Sequence, residues 1–289
     1  MNKLLACILI TFIGLRAVAQ QLESFEENNL YGIKESVGGK VIVPAKYQQL
    51  FSFAEGVAAV ERGDKFGFID KSGKEVIPPQ FAEVNSFSEG LAAVSDGNSW
   101  GFIDKSGKIV VPLQYEEVNS FSEGLAVIIK DEEAGYLDKS GTVVIPITYD
   151  YCMPFSQGLA VVEKNGLAGI IDQKGNFVIP MKYLEIGEFS EGLAPVNKSN
   201  KWGYINRQGA EIIKPEYDYA FLFSEDLAGV MIGDKGGYID LNNTITIPMV
   251  YDKLGTFEDG RALVEMKSKQ FYIDKKGHCL NTEEFNCPK

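Results

Sequence analysis

The sequence predicts an all-β protein built from tandem three-stranded units of about 34 residues, stacked as an open array. Three observations predict it. A glycine phrase recurs at Gly32, Gly67, Gly101, Gly135, Gly169, Gly203 and Gly237, with Tyr272 in the eighth place, at intervals of 34 or 35 residues. Two aromatic positions keep step with it: Phe53, Phe87, Phe121, Phe155, Phe189, Phe223 and Phe257, each preceded six residues earlier by Tyr47, Phe81, Tyr115, Tyr149, Tyr183, Tyr217 or Tyr251. No segment carries the sustained 3.6-residue apolar period of a helix, whereas short β-prone runs alternate with turn signals every 8–12 residues.

The first nineteen residues are of a different kind. Lys3 precedes the apolar run Leu4–Leu15, and Ala17-Val18-Ala19 forms a small-residue cleavage box. This is the pattern of a secretory signal peptide, too short and wrongly flanked to span a membrane. The mature chain is expected to begin at Gln20 and to be exported to the periplasm, the cell surface or the medium. The whole chain carries a net charge of −12, and losing Lys3 and Arg16 deepens it to −14. Such a surface repels phosphate backbones and anionic lipid, which argues against nucleic-acid partners. No other run is long enough to cross a membrane as a helix.

Residues 20–30 read as a lead-in or cap. The array then occupies 31–278, with copies starting near 31, 66, 100, 134, 168, 202, 236 and 271. Within the third copy, Trp100–Asp104 is the first strand. Asp104-Lys-Ser-Gly-Lys108 is a type I turn with a glycine bulge at Gly107, its aspartate capping nearby N–H groups. Residues 109–112 are the second strand, ended by Pro112, which has no donor for the ladder. Residues 115–124 form an irregular crossing, and 125–129 the third strand. The 35-residue intervals point to an extra residue in copy 1 between Gly32 and Tyr47, and in copy 7 after Phe257; both fall at expected turns, where insertion costs least.

A unit this small cannot bury its own apolar face, so it must lean on its neighbours. The recurrent aromatics are expected to stack on the equivalent ring of the next unit. The alanines that follow each Glu-Gly pair (Ala58, Ala92, Ala126 and their equivalents) allow neighbouring units to approach closely. Closure into a propeller of seven or eight blades is the alternative. The ends fit it poorly, because 23–32 are expected to leave no room for a full third strand.

The tripeptides Lys65-Phe66-Gly67, Ser99-Trp100-Gly101 and Lys201-Trp202-Gly203, each followed by a strand, an Asp-Lys-Ser-Gly or Asn-Arg-Gln-Gly turn and then Phe-Ser-Glu-Gly-Leu-Ala, resemble the WG-repeat proteins over about residues 30–278. Tryptophan itself is present only at Trp100 and Trp202. The resemblance implies a bacterial, often exported repeat protein that binds something; some relatives fuse the array to a catalytic domain, for which this chain has no residues to spare.

Candidate chemistry is sparse. His278 is the single histidine and lies near the C-terminus beside Cys279, which argues against a Ser-His-Asp triad or a histidine-rich metal site and for a lone surface imidazole. The aspartates at 70, 104, 138, 172, 240 and 274 start the same turn in each copy, with Asn206 in one place. Asparagine can cap but cannot donate a catalytic proton, so the position is a turn and not an acid. The repeated glutamates of the Glu-Gly pairs, with Gln157 substituting once, read the same way. Lysines beside the aspartates argue against calcium. The chain is therefore expected to be non-enzymatic and to need no cofactor or metal.

What varies between copies is a better guide to binding. The turns leaving the third strands contribute Asp96, Asn98, Asn165 and Asn200, and the crossings add Tyr151 and Tyr219, which serve either as an exposed platform or as core filling. The leading expectation is a scaffold that binds a protein at the bacterial envelope. A polysaccharide or cell-wall polymer on the tyrosines is the alternative, and a cryptic glycoside hydrolase the remote one. Cys279 and Cys287, eight residues apart in an exported tail at 279–289, form a candidate disulfide, while Cys152 reads as a small buried apolar residue.

Overall fold

The computed structural model describes residues 22–281 and Cys287; the signal-peptide segment 1–19 and Cys7 lie outside the described residues. The described chain is all strand and turn, arranged as consecutive antiparallel sheets of three or four strands. It divides into two compact units, one ending at Ser86 and one beginning at Phe87.

The sheets do not coincide with the sequence copies. A representative sheet of the second unit contains a short strand Tyr219–Ala220, an alanine strand Leu227–Ile232, a glycine strand Lys235–Asp240 and a proline strand Ile245–Tyr251, in that spatial order. The first pair comes from one copy and the second pair from the next. The expected three-stranded unit is thus a four-stranded sheet, because the crossing pairs two of its residues with the alanine strand, as in Tyr219↔Met231 and Ala220↔Val230. In the first unit the lead-in residues Leu22–Glu27 form a complete strand against Leu30–Glu35. The expectation that this stretch had no room for a third strand is corrected: a two-residue turn, Asn28-Asn29, is enough to reverse the chain.

The repeated glycine is explained by the proline strand. Trp100 pairs with Tyr115 and Phe102 with Val111, so one residue, Gly101, faces three on the opposite strand. This bulge arches over the glycine. A Cβ on Gly101 would lie 2.5 Å from the Val111 carbonyl oxygen and 2.7 Å from that of Pro112, and Gly203 and Gly237 meet the equivalent carbonyl at 2.4 Å. Pro112 therefore does not end the strand, which runs on to Tyr115; it occupies the bulge, where no ladder donor is needed.

The eighth copy tests this reason. Phe271 lies opposite Val264 just as Gly237 lies opposite Val230. The glycine place is therefore Phe271 and not Tyr272, the interval is 34, and copy 7 has no extra residue. The strand described beside it is Cys279–Leu280, which pairs with Ile273 and Tyr272. The extra residue of copy 1 does fall in a turn, with Val37 at 80 % exposure.

Neighbouring sheets of the second unit meet through buried side chains. Phe102, Val111 and Tyr115 from one sheet share a cluster with Ala126, Ile128 and Leu137 from the next. Tyr115 and Phe121 are 4 % and 3 % exposed. The ring partner differs from expectation. Phe121 meets Phe102, nineteen residues earlier, at 4.8 Å, and the same pair recurs as Tyr136–Phe155, Tyr204–Phe223 and Tyr238–Phe257. The crossing carries its phenylalanine toward the glycine strand it has just left, so adjacent sheets are riveted ring on ring. Burying such a ring contributes on the order of 3–5 kcal/mol.

Candidate functional site

The repeated polar residues are spent on the fold. The Asp104 carboxylate accepts the N–H groups of Ser106 and Lys108 at 2.9 and 3.1 Å and the Ser106 hydroxyl at 2.6 Å; Asn206 Oδ1 accepts the corresponding N–H groups of Gln208 and Ala210. The Ser106 hydroxyl, with these backbone donors, holds the Asp104 carboxyl below the usual range. Among the described residues no group of three or more His, Cys, Asp or Glu side chains is placed to hold a metal ion.

The Phe-Ser-Glu-Gly segment is a second device, and its reach went unseen in the sequence. Glu123 and Gly124 both have positive φ, which makes a two-residue turn closed by the Ser122–Leu125 bridge. Ser122 Oγ donates to the Phe155 carbonyl at 2.7 Å, and Ser88, Ser190 and Ser224 make the same bond 33 residues ahead. The Glu123 carboxylate accepts the N–H groups of Gln157 and Gly158; Glu89, Glu191 and Glu225 reach Gly124, Asp226 and Gly260. Copies 2, 3, 5 and 6 thereby cap the positive-φ turn of the next copy. The recurrence of Ser and Glu beside Phe in copies 2, 3, 5 and 6 was the available signal.

The nominated surface residues separate into two groups. Asp96 and Asn98 share one exposed turn, in which the Asp96 carboxylate accepts the Asn98 and Ser99 N–H groups. Asn165 and Asn200 hold positive-φ positions in two-residue turns, and the Asn165 N–H is held by Asp150 at 2.6 Å. Their residue types follow from turn geometry. Tyr151 and Tyr219, in contrast, are half exposed, so neither is core filling. The two do not form a common platform. Tyr219 packs against Trp202 at 5.7 Å and Phe221 at 5.0 Å, making an aromatic cluster at one short strand. The place corresponding to Trp202 beside Tyr151 is Ala134.

A further exposed row was missed. The first residue of each proline strand in the second unit is Ile109, Val143, Phe177, Glu211 or Ile245; the four apolar ones are between 42 % and 53 % exposed. Val144, Val178 and Ile212 extend the row by one residue. The proline strand is an edge of its sheet, and its proline bulge blocks addition of another strand. What it presents outward is side chains.

Two cysteine readings have structural counterparts. Cys279 and Cys287 are bonded. Cys152 is buried, and burial pushes its thiol up to about 12, offset in part by a hydrogen bond with Tyr136.

With this geometry in hand, the comparisons fall into place. The sequence profile described as "WG containing repeat" matches residues 38–66, 66–99, 100–133, 135–167, 169–202, 202–235 and 237–269. The chain belongs to the WG-repeat family. From the second match onward each WG repeat begins at a glycine strand and ends after an alanine strand, so within the second unit it gives its first half to one sheet and its second half to the next. A comparison with curated protein sequences finds no match. Among solved structures the WG-repeat chain is similar to a eukaryotic initiation factor (12 % identity, 91 % of this chain and 84 % of the other, TM-score 0.48). It is also similar to Hsv2p of Kluyveromyces lactis (10 %, 78 % and 92 %, TM-score 0.39) and to the dihydro-heme d1 dehydrogenase NirN in complex with DHE (13 %, 90 % and 72 %, TM-score 0.39).

Proposed function

We propose that this WG-repeat scaffold is exported to the bacterial envelope, carries out no catalysis, and binds a protein partner along the edge of its sheets. The observation that carries this reading is the periodic row Ile109, Val143, Phe177 and Ile245, half exposed on strands whose bulges exclude strand addition. Apolar side chains presented at the repeat interval, three of the four aliphatic, suit the anchors of a protein surface better than a sugar, which favours flat rings. The non-enzymatic reading is supported by the commitment of the repeated carboxylates to turns and clamps. Export is supported by the Lys3, Leu4–Leu15 and Ala17–Ala19 pattern.

A second reading has one observation in its favour. The Trp202, Tyr219 and Phe221 cluster is an exposed aromatic surface of the kind that stacks on a glycan ring. One experiment separates the two. A photo-crosslinking residue is placed at Phe177 or Tyr219 in living cells, the envelope is fractionated, and the purified protein is run on a polysaccharide array. The scaffold reading expects envelope localisation and a discrete protein adduct from position 177, lost in an Ile109→Asp, Val143→Asp double variant. Retention in the cytosol, or polysaccharide binding abolished by Tyr219→Ala with no adduct at 177, overturns it.

A further inference from the structure

Copy 5 breaks the ring-on-ring rule. The glycine-strand aromatic that pairs with Phe121, Phe155, Phe223 or Phe257 is Phe102, Tyr136, Tyr204 or Tyr238, but at the equivalent position in copy 5 stands Ile170. Its crossing partner Phe189 is partly exposed, although Phe121, Phe155, Phe223 and Phe257 are buried. A cavity of about 440 Å³ opens at this place, with Ile170, Phe189, Gly187 and Val161 among its walls and Arg207 and Gln157 at its polar side. The Arg207 guanidinium lies 4.8 Å from the centre of the Phe189 ring and donates to Gln157 Oε1. The ring that Phe121, Phe155, Phe223 and Phe257 each meet is missing for Phe189, and space stands near it; in the first unit Ile33 stands at the same place.

A hydroxyl is missing as well. Tyr136, Tyr204 and Tyr238 each donate their phenol O–H at 2.7 Å to the carbonyl seventeen residues ahead, on Met153, Phe221 and Gly255. The carbonyl at the same place in copy 5 belongs to Gly187, and Ile170 has no O–H to offer it. The facing strand cannot replace that donor. Gly187 donates its N–H to the Pro195 carbonyl at 2.8 Å, and Pro195 has no N–H to return. The same glycine removes the side chain that Met153 and Phe221 carry at this position.

The geometry points to a binding site for a phenolic ring: an aromatic ligand carrying a hydroxyl, which takes the place of the tyrosine that copy 5 lacks, stacks on Phe189 beneath Arg207 and donates to the Gly187 carbonyl. An apolar cavity of about 150 Å³ accommodates benzene, so the volume here admits a substituted ring together with the atoms that join it to a larger molecule. The glutamates nearby do not oppose a neutral phenol as they would an anion, and Glu123 is already held by backbone N–H groups. This goes beyond the scaffold reading and does not rest on the apolar row.

The test uses the full protein and simple probes. Binding of p-cresol, toluene and N-acetyl-tyrosinamide is titrated by NMR on the wild type and on Ile170→Tyr, which restores the repeat's own ring and hydroxyl. Wild type is expected to bind p-cresol, with toluene roughly two- to tenfold weaker for want of the hydrogen bond. In Ile170→Tyr, p-cresol binding drops at least tenfold while the melting temperature does not fall. Should that variant fold poorly, Phe189→Leu keeps an apolar wall without the ring face, and is expected to weaken p-cresol several-fold. Binding of N-acetyl-tyrosinamide as tight as p-cresol assigns the ring to a tyrosine side chain; binding of p-cresol alone assigns it to a free small molecule. Either supports the site. No binding to the wild type at about 10 mM p-cresol, affinity unchanged in both variants, or toluene bound as tightly as p-cresol overturns it.

Discussion

Replacing Phe121 by alanine probes the contact on which the array depends. The ring is 3 % exposed and sits 4.8 Å from Phe102 in an edge-on arrangement, so the change removes a buried ring and leaves a cavity between two sheets. An aromatic side chain buries about 150–250 Å², and at about 25 cal/mol per Å² that area corresponds to roughly 4–6 kcal/mol as an upper bound. Measured truncations of buried phenylalanine give about 3–5 kcal/mol. For a unit of this size each kcal/mol lowers the melting temperature by roughly 2–4 °C, so a drop of about 6–20 °C is expected. A Phe102→Ala, Phe121→Ala cycle should show a coupling of about 0.5–1.5 kcal/mol beyond area. Because repeats are stabilised chiefly by nearest neighbours, hydrogen exchange should accelerate at Val111 and Ile128 and stay slow at Ile239. A loss under about 1 kcal/mol, no coupling, or an equal loss of protection at Ile239 would refute the reasoning.

Other consequences follow from the same geometry. Gly101→Ala forces a Cβ against two carbonyls of the bulge, with an expected loss of about 1–3 kcal/mol in denaturant unfolding; an unchanged midpoint would mean the bulge can move aside. Ser122→Ala deletes the hydroxyl bond to the Phe155 carbonyl and should cost about 0.5–1.5 kcal/mol, with faster exchange around residues 155–158. The carboxyls of Asp104, Asp138 and Asp172 are held low by Ser106, Ser140 and Asn176 together with backbone donors. A carboxyl lowered in the folded state stabilises above its unfolded pKa near 3.9 and loses that contribution as pH falls through the folded value. The triple Asp→Asn variant should therefore show a flatter acid limb below about pH 4, and an identical limb would contradict the capping role. In a Cys7→Ser variant, the Cys152 thiol should resist alkylation at pH 8 while folded and react once unfolded, since burial pushes it up to about 12.

The 34-residue spacing, the strand-and-turn content, the glycine bulge after Asp104 and the pairing of Cys279 with Cys287 were legible because each depends on neighbours in the chain or on a strict period. The repeat phase at the eighth copy was misread for a local reason. Gly237 aligns by eye with Tyr272, but the glycine place is defined by its partner on the alanine strand, and Phe271 is the residue opposite Val264 as Gly237 is opposite Val230. The exposed row was missed because Ile109-Val110-Val111 is apolar on both faces, and only the neighbouring sheet decides that Val111 is covered while Ile109 is not.

The sequence by itself determined that short β-units repeat, where their turns lie, and which aromatic positions serve the copies, since a period imposes the same local physics each time. Tertiary structure alone decided which halves of adjacent copies share a sheet, which ring meets which, and where the chain departs from its own rule. Partners 17, 19, 33 or 35 residues apart meet only when the sheets are packed, so the absence of a ring at Ile170 becomes a cavity only once Phe189, Gly187 and Arg207 are brought around it.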